Sequence, residues 1–159
     1  MLSKNNPLLQ NQITLWRESI KPTLDKALEL VPDNKLNWVP SGGMLTLANI
    51  FLHISETSDW WYEEVIKGRK WQELVPSNET PAPTKAEIAR HMKNHWERLE
   101  RFFAENPQIL TKSFQIKRRE GPFNYDGYWV FTHLLEHDIH HRSQINQYLR
   151  ILGITPPEI

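Results

Sequence analysis

Apolar residues recur at every third or fourth position in four stretches of the chain. These stretches run from about Leu8 to Val31, Leu45 to Lys67, Lys85 to Ala104 and Tyr128 to Leu152. This spacing puts the apolar side chains on one side of a helix, because an α-helix has about 3.6 residues per turn. The pattern predicts four amphipathic helices, with a kink at Pro22 in the first because proline has no N–H to donate.

Turn-forming and capping residues separate the predicted helices. Pro40–Gly43 is typical of a turn, and the prolines between Gly68 and Thr84 exclude a continuing helix. Thr84 with a glutamate three residues later forms a capping box that starts the third helix. A weak alternation followed by a Gly-Pro pair predicts a short hairpin or an irregular loop over Ser113 to Tyr125.

The predicted elements combine in one economical way. Four amphipathic helices joined by connectors longer than hairpin turns favour an all-α, four-helix bundle with the apolar stripes facing inward. The bundle has a long crossover connection, with the hairpin or loop before the last helix. A chain of 159 residues lies in the usual size range of one domain, so we expect a single domain over residues 1–159.

The composition excludes several functional classes. Nineteen Lys and Arg balance nineteen Asp and Glu, so no net field draws the chain to nucleic acid or anionic lipid. The chain has no Cys, which excludes disulfides, thiolate metal ligands and a cysteine nucleophile. Neither a signal-like N-terminus nor an apolar run of about 20 residues is found, so we expect a cytoplasmic protein with no membrane partner.

Histidine is the residue type that points to chemistry. In the fourth helix His133, His137 and His141 lie at successive i, i+4 steps, which places them on one face. Two neutral imidazoles spaced this way can share one Zn²⁺, Ni²⁺ or Fe²⁺ ion. A third ligand must come from another helix, and His53 is the candidate because it lies in the apolar stretch Ile50–Ile54.

Other interpretations compete with a metal site. The fourth helix can simply present a solvated polar face with one or two hydrogen-bonded core histidines, and His91 and His95 form a further i, i+4 pair. For that pair, His95 can point inward, and His91 is predicted to face solvent. The HxxEH pattern that starts at His133 matches inverted zinc proteases, but Glu158 is the only acidic residue left downstream to complete such a site.

Two other groups of residues have an ordinary structural interpretation. The tryptophans Trp60, Trp61, Trp96 and Trp129 are expected in the core more than in a cofactor platform. The Lys117–Arg119 run is expected to be a solvated loop, although it could meet an anionic group of a ligand.

Two segments resemble a known family. A histidine in the middle of the second helix followed by aromatic residues (Leu47–Trp61), and a His-x-x-x-His-Arg-x-Gln pattern from His137 to Gln144, resemble the DinB-like (DinB/YfiT) metal-binding superfamily. Helix order and overall length agree over nearly the whole chain. The family usually has glycine at the position of Ser143, so close packing at that point is in question.

The resemblance implies a site and a range of activities. It implies that His53, His137 and His141 are the three ligands of one divalent ion, with His133 a neighbour and the remaining positions open to water or substrate. Members of the superfamily include S-transferases and maleylpyruvate isomerases that use low-molecular-weight thiols, and several are dimers. A thiol cofactor, a small-molecule substrate and a homodimer are therefore expected.

Two functional hypotheses follow from this pattern. In the first, the metal holds a small thiol as thiolate for attack on an electrophile, and Glu56 and Glu136 could orient the ligands. In the second, the ion only ties two helices together in a non-catalytic stress-response or binding module. An open cavity beside the ion would favour catalysis.

Overall fold

The computed structural model describes residues 6–69 and 83–158. The α-helices are α1 (Pro7–Leu15), α2 (Lys21–Leu30), α3 (Leu47–Ser58), α4 (Lys85–Ala104), α5 (Gln108–Thr111) and α6 (Gly127–Ile151). Two π-helical segments (Trp16–Ile20 and Asp59–Ile66), a 3-10 turn (Asp33–Lys35) and strands β1 (Ser113–Arg118) and β2 (Gly121–Asp126) complete the order. The predicted helices are confirmed. The prolines Pro76 and Pro81, in the connection to α4, lie outside the described residues.

Side-chain caps start the helices where the sequence places them. Thr46 accepts from the Asn49 amide at the start of α3, and Asp126 accepts from the Trp129 amide at the start of α6. The capping box at Thr84 is present in full, because its hydroxyl and backbone are both paired with Glu87. These bonds satisfy amide groups that have no partner within the helix itself.

The first predicted helix changes its winding ahead of Pro22. Within the π-helical segment Trp16–Ile20 the Lys21 amide donates to the carbonyl of Trp16, five residues back. The Thr23 hydroxyl donates to the carbonyls of Ser19 and Ile20 at 2.7 and 3.0 Å. The wider turn accommodates the missing proline N–H, so α1, the π-helical segment and α2 follow one another without a break in the helical backbone.

A buried arginine supports the second π-helical segment. Arg98, on α4, is 5% exposed and donates to the carbonyl and hydroxyl of Ser55 and to the hydroxyl of Ser58. These acceptors lie in the last turn of α3, where the helix changes to the π form at Asp59. The guanidinium thus ties α4 to the end of α3, because its bonds to the two serines join the helices at the point where the winding changes.

The bundle buries one continuous core. Helices α2 and α3 each pack against both α4 and α6. Trp16 lies near its centre at 1% exposure, with ring contacts to Phe103 and Phe131 at 5.1 and 5.0 Å. None of the helices in the described part of the chain combines the length and apolar character that a membrane crossing requires.

The segment before α6 is a hairpin, the first of the two predicted alternatives. Strands β1 and β2 pair antiparallel, with Ser113 opposite Asp126. At the start of α6, Gly127 lies so close to α5 that an added Cβ would collide with the backbone oxygen of Ile109. Glycine is required there because α5 crosses directly over the first residue of the helix.

Candidate metal centre

The structure brings His53, His137 and His141 together between α3 and α6. Nε2 of His137 lies 3.1 Å from Nε2 of His53 and 3.2 Å from Nε2 of His141. One ligand atom from each ring lies within 4.8 Å of the others. His137 and His141 are one helical turn apart on α6, and the packing of α3 on α6 supplies the third ring.

Polar contacts at Nδ1 orient the rings of His141 and His53 so that Nε2 faces the other histidines. Nδ1 of His141 lies 2.9 Å from Oε1 of Gln144, and Nδ1 of His53 lies 3.7 Å from the Glu56 carboxylate. A neutral imidazole carries one proton, and an acceptor beside Nδ1 holds it there. The Nε2 lone pair of His141 is therefore directed into the cluster, and the Glu56 carboxylate favours the corresponding orientation of the His53 ring.

Burial keeps the rings of His137 and His141 uncharged. It lowers the pKa of His137 to about 2, with a further contribution from the neighbouring His141 and His53. Burial also lowers the pKa of His141 to about 4, although its bond to Gln144 acts in the opposite direction. Both rings are neutral at physiological pH, which is the form that binds metal.

The donor set fits a divalent ion. The Nε2 atom of His137 has three polar neighbours within hydrogen-bonding distance, the two other Nε2 atoms and the Thr57 hydroxyl at 3.2 Å. A single proton cannot satisfy lone pairs on three rings, whereas a cation can. Ligands about 2.0–2.1 Å from a tetrahedral ion are about 3.3 Å from one another, close to the two nitrogen spacings found here.

A cavity of about 490 Å³ lies beside the histidines. Its lining consists of His53, Glu56, Thr57, Trp60, Trp61, His133 and His137. Five of these come from α3 and the π-helical segment that follows it, at spacings of three and four residues, so one face of this helix forms one wall. The size is in the usual range for small-molecule sites.

Aromatic rings continue this lining outward. His133 stacks on Trp129 with centroids 4.7 Å apart and an interplanar angle of 19°. Trp61 contacts both of these rings and also the ring of Tyr125 on β2. The hairpin and the first turns of α6 thus extend the aromatic surface away from the three histidines.

The remaining histidines lie outside the cluster. His133 lines the cavity but is not part of the three-residue group, with its ring centroid 6.1 Å from that of His137. His95 is fully buried, as the sequence allowed, whereas His91 is half-buried and lies 3.2 Å from Arg90. His140 is exposed.

Two expectations about residues near the ligands need correction. Glu136 does not orient a ligand, because it is exposed on the solvent side of α6, whereas Glu56 does lie against His53. The side chain at Ser143 causes no packing problem, because it is exposed and its hydroxyl donates to the carbonyl of Ile139 at 3.0 Å. A glycine is not required at this position.

The tryptophans divide between core and cavity. Trp61 and Trp96 are 3% and 8% exposed, as expected for the core, but Trp61 also lines the cavity with the half-buried Trp60. Trp129 is 40% exposed, so the expectation that it lies in the core is wrong. Lys117 and Arg119 are exposed, as predicted for that run.

A buried polar network lies next to the three histidines. Asp138 is fully buried and accepts from Nε1 of Trp16 and pairs with Nε2 of His95, both at 2.9 Å. Its other oxygen lies 4.0 Å from Nδ1 of His137. The network joins α4 and the first π-helical segment to α6 next to a ligand.

Sequence reasoning missed several of these residues. Thr57 stands four residues after His53, so helical spacing could have indicated it. Gln144 was part of the His-Arg-x-Gln pattern, but its contact with His141, three residues before it, was not predicted. Asp138 gave no comparable signal, because its partners Trp16 and His95 come from other parts of the chain.

Comparison with protein-family models identifies the family of this chain. The family model of the DinB family matches residues 1–159. The chain belongs to the DinB family. No curated protein matches it at a significant level.

Solved structures share the fold of this DinB-family chain. A DinB-like protein from Bacillus cereus is 21% identical with a TM-score of 0.69, and covers 94% of this chain and 96% of its own. A DinB-like protein from Bacillus subtilis is 14% identical with a TM-score of 0.69, at 97% coverage of both chains. YfiT from Bacillus subtilis, described as a probable metal-dependent hydrolase with an unusual four-helix bundle topology, is 15% identical with a TM-score of 0.71, and covers 98% of this chain and 92% of its own.

Proposed function

We propose that this protein is a divalent-metal-dependent enzyme that transfers a low-molecular-weight thiol to an electrophilic small molecule. His53, His137 and His141 hold one Zn²⁺, Ni²⁺ or Fe²⁺ ion. The observation that carries the proposal is the open cavity of about 490 Å³ lined by two of the three proposed ligands. Catalytic metals have three protein ligands and an open position, whereas structural metals are closed by four.

The residues of the site have two roles, which are to bind the ion and to orient the rings that bind it. The three histidines hold the ion, while Gln144 and Glu56 fix the orientation of His141 and His53. A bound ion would supply Lewis-acid chemistry that lowers the pKa of a thiol. The thiol releases its proton to solvent, its sulfur forms a C–S bond with the electrophile, and the leaving group departs with its bonding pair.

The chain itself provides no thiol. Because the sequence has no Cys, the sulfur nucleophile must come from a small molecule. The aromatic side chains Trp60 and Trp61 in the cavity supply apolar surface for that molecule or its acceptor and exclude water from the reacting atoms. A homodimer in the cytoplasm remains our expectation for the assembly and its location.

Hydrolysis is the second candidate. It is favoured by the structural similarity to YfiT, which is described as a probable metal-dependent hydrolase. The same site would serve either reaction, because a bound divalent ion would lower the pKa of a thiol or of a water molecule. The product distinguishes the two reactions, because thiol transfer incorporates the sulfur of the thiol and hydrolysis incorporates the oxygen of water.

Metal content is the first test. The wild type and the variants His53→Ala, His137→Ala and His141→Ala are purified without immobilised-metal chromatography, and their metal is measured by elemental analysis. We expect near-stoichiometric metal in the wild type and in the control His91→Ala, and its loss in the three ligand variants. A wild type that stays metal-free after incubation with Zn²⁺, Ni²⁺ and Fe²⁺ would contradict the proposal.

Activity is the second test. The metal-loaded protein is incubated with a thiol such as glutathione or coenzyme A and with chlorodinitrobenzene, and the thioether is followed by absorbance. A metal-dependent thioether supports transfer, and a hydrolysed ester substrate with no thioether supports hydrolysis. A protein that holds its metal but accelerates neither reaction across a panel of acceptors would indicate the non-catalytic module.

A further inference from the structure

A single carboxylate supplies the charge in the lining of the cavity. Among the described residues that form it, Glu56 is the only one with a full charge, and no Lys or Arg side chain takes part. Its side chain is 22% exposed, and one carboxylate oxygen lies 3.7 Å from Nδ1 of His53. The wall of the cavity at Glu56 is therefore electronegative, whereas a divalent ion at the three histidines would make the end next to it positive.

Aromatic faces accompany this carboxylate. Trp60 lies four residues after Glu56, so both occupy the same side of the helix. Trp60 is half-buried and meets Trp61 edge to face, with centroids 4.6 Å apart and an interplanar angle of 67°. An indole face next to a carboxylate is the combination that binds organic cations, because the ring quadrupole and the negative charge both attract them.

The positions of Glu56 and Trp60 along the helix also set their distance from His53. Glu56 and Trp60 follow His53 by three and seven residues, which is about 5 to 10 Å along a helix. A molecule that places a donor atom at the three histidines thus places a second group against Trp60 and Glu56. We propose that the cavity selects substrates with a positively charged organic group, such as a protonated amine or a quaternary ammonium, at this outer position, and disfavours anionic groups there.

As a statement about substrates, this inference rests on the proposed function, whereas the preference for cations is a property of the cavity itself. The experiment therefore has one arm with metal and one without. In the first arm, the zinc-loaded full chain is titrated with three benzhydroxamic acids that share the metal-binding head. Their para substituents are trimethylammonium, the isosteric neutral tert-butyl group, and carboxylate, and binding is measured by calorimetry.

We expect the trimethylammonium compound to bind about tenfold more tightly than the tert-butyl compound, and the carboxylate compound to bind about tenfold more weakly. In Glu56→Gln we expect the affinity ratio, which is the affinity for the trimethylammonium compound divided by that for the tert-butyl compound, to fall toward one. The matched control Glu136→Gln removes an exposed carboxylate outside the cavity and keeps the wild-type ratio. Because both compounds share the same head, any change in metal affinity cancels in the ratio.

The second arm uses the metal-free protein with phenyltrimethylammonium and benzoate, which carry no metal-binding head. Tryptophan fluorescence reports their binding, and we expect the cation to bind several-fold more tightly in the wild type but not in Trp60→Leu. Equal or stronger binding of the anion in this arm overturns the inference, as does an unchanged cationic ratio in Glu56→Gln. A third outcome separates the two proposals. If the hydroxamates bind equally well with and without zinc, and the cation is still preferred in the second arm, the proposed function is wrong but the cation preference of the cavity is retained.

Discussion

Gln144 holds the ring of His141, with its side-chain oxygen 2.9 Å from Nδ1 of that histidine. The two residues are three apart on α6, so the helix itself sets their contact. The bond keeps the proton on Nδ1 and leaves Nε2 free to face His53 and His137. The glutamine of the His-Arg-x-Gln pattern thus has a physical role at the proposed ligand beside it.

Replacing Gln144 tests this role. In Gln144→Leu we expect the metal affinity to fall by about 10- to 100-fold, because the ring loses the acceptor that fixes its tautomer and orientation. Competition with a fluorescent zinc chelator measures the change. Ser143→Ala is the matched control on the exposed side of the same helix, and an affinity equal in the two variants would remove Gln144 from the site.

The buried network around Asp138 should contribute to stability. In Asp138→Ala the Nε1 group of Trp16 and Nε2 of His95 lose their partner in a site with no access to water. We expect the free energy of unfolding to fall by about 3 kcal/mol, measured by urea denaturation of the metal-free protein. Asp33→Ala removes an exposed carboxylate and should leave the midpoint nearly unchanged. An equal midpoint in both variants would show that the network is dispensable.

Gly127 should tolerate no side chain. A methyl group there meets the backbone of α5, including the Cα of Leu110 at 2.9 Å, which cannot move aside as a flexible side chain would. We expect Gly127→Ala to destabilise the fold by about 2 kcal/mol in thermal or urea unfolding. Gly42→Ala is the matched control, because nothing lies within 4 Å of its added Cβ. If Gly127→Ala is as stable as Gly42→Ala, α5 must move away from α6 at little cost in free energy.

The metal-free protein should lose stability in mild acid. The pKa of His137 is lowered to about 2 and that of His141 to about 4, against an ordinary value of 6.5. Below pH 6.5 the unfolded chain therefore takes up protons at these residues that the folded chain does not, and this favours unfolding. We expect the urea midpoint to fall by about 1 M between pH 7 and pH 5.

The variant His137→Gln/His141→Gln isolates that effect. It removes both groups, so its midpoint should depend less on pH over the same range. The comparison is made on chelator-treated protein, since a bound ion would add its own dependence on pH. A wild type and variant with parallel pH profiles would place the acid sensitivity elsewhere in the protein.

The sequence by itself determined the elements that depend on neighbours along the chain. The capping box at Thr84 and the break after Ala104 set both ends of α4 correctly, because caps and helix stops act over three or four residues. The i, i+4 spacing placed His137 and His141 on one face of α6 for the same reason. The hairpin stayed one of two alternatives, since its alternation covers only a few residues.

Tertiary structure decided the relationships between elements. Whether His53 reaches the other two histidines depends on how α3 packs against α6, and the sequence alone could name it only as a candidate. The pairing of His95 with Asp138, the contact of Gly127 with α5, and the exposure of Trp129 likewise depend on parts of the chain that meet only after folding. Helical periodicity fixes which side of a helix a residue occupies, but the crossing of helices fixes what that side faces.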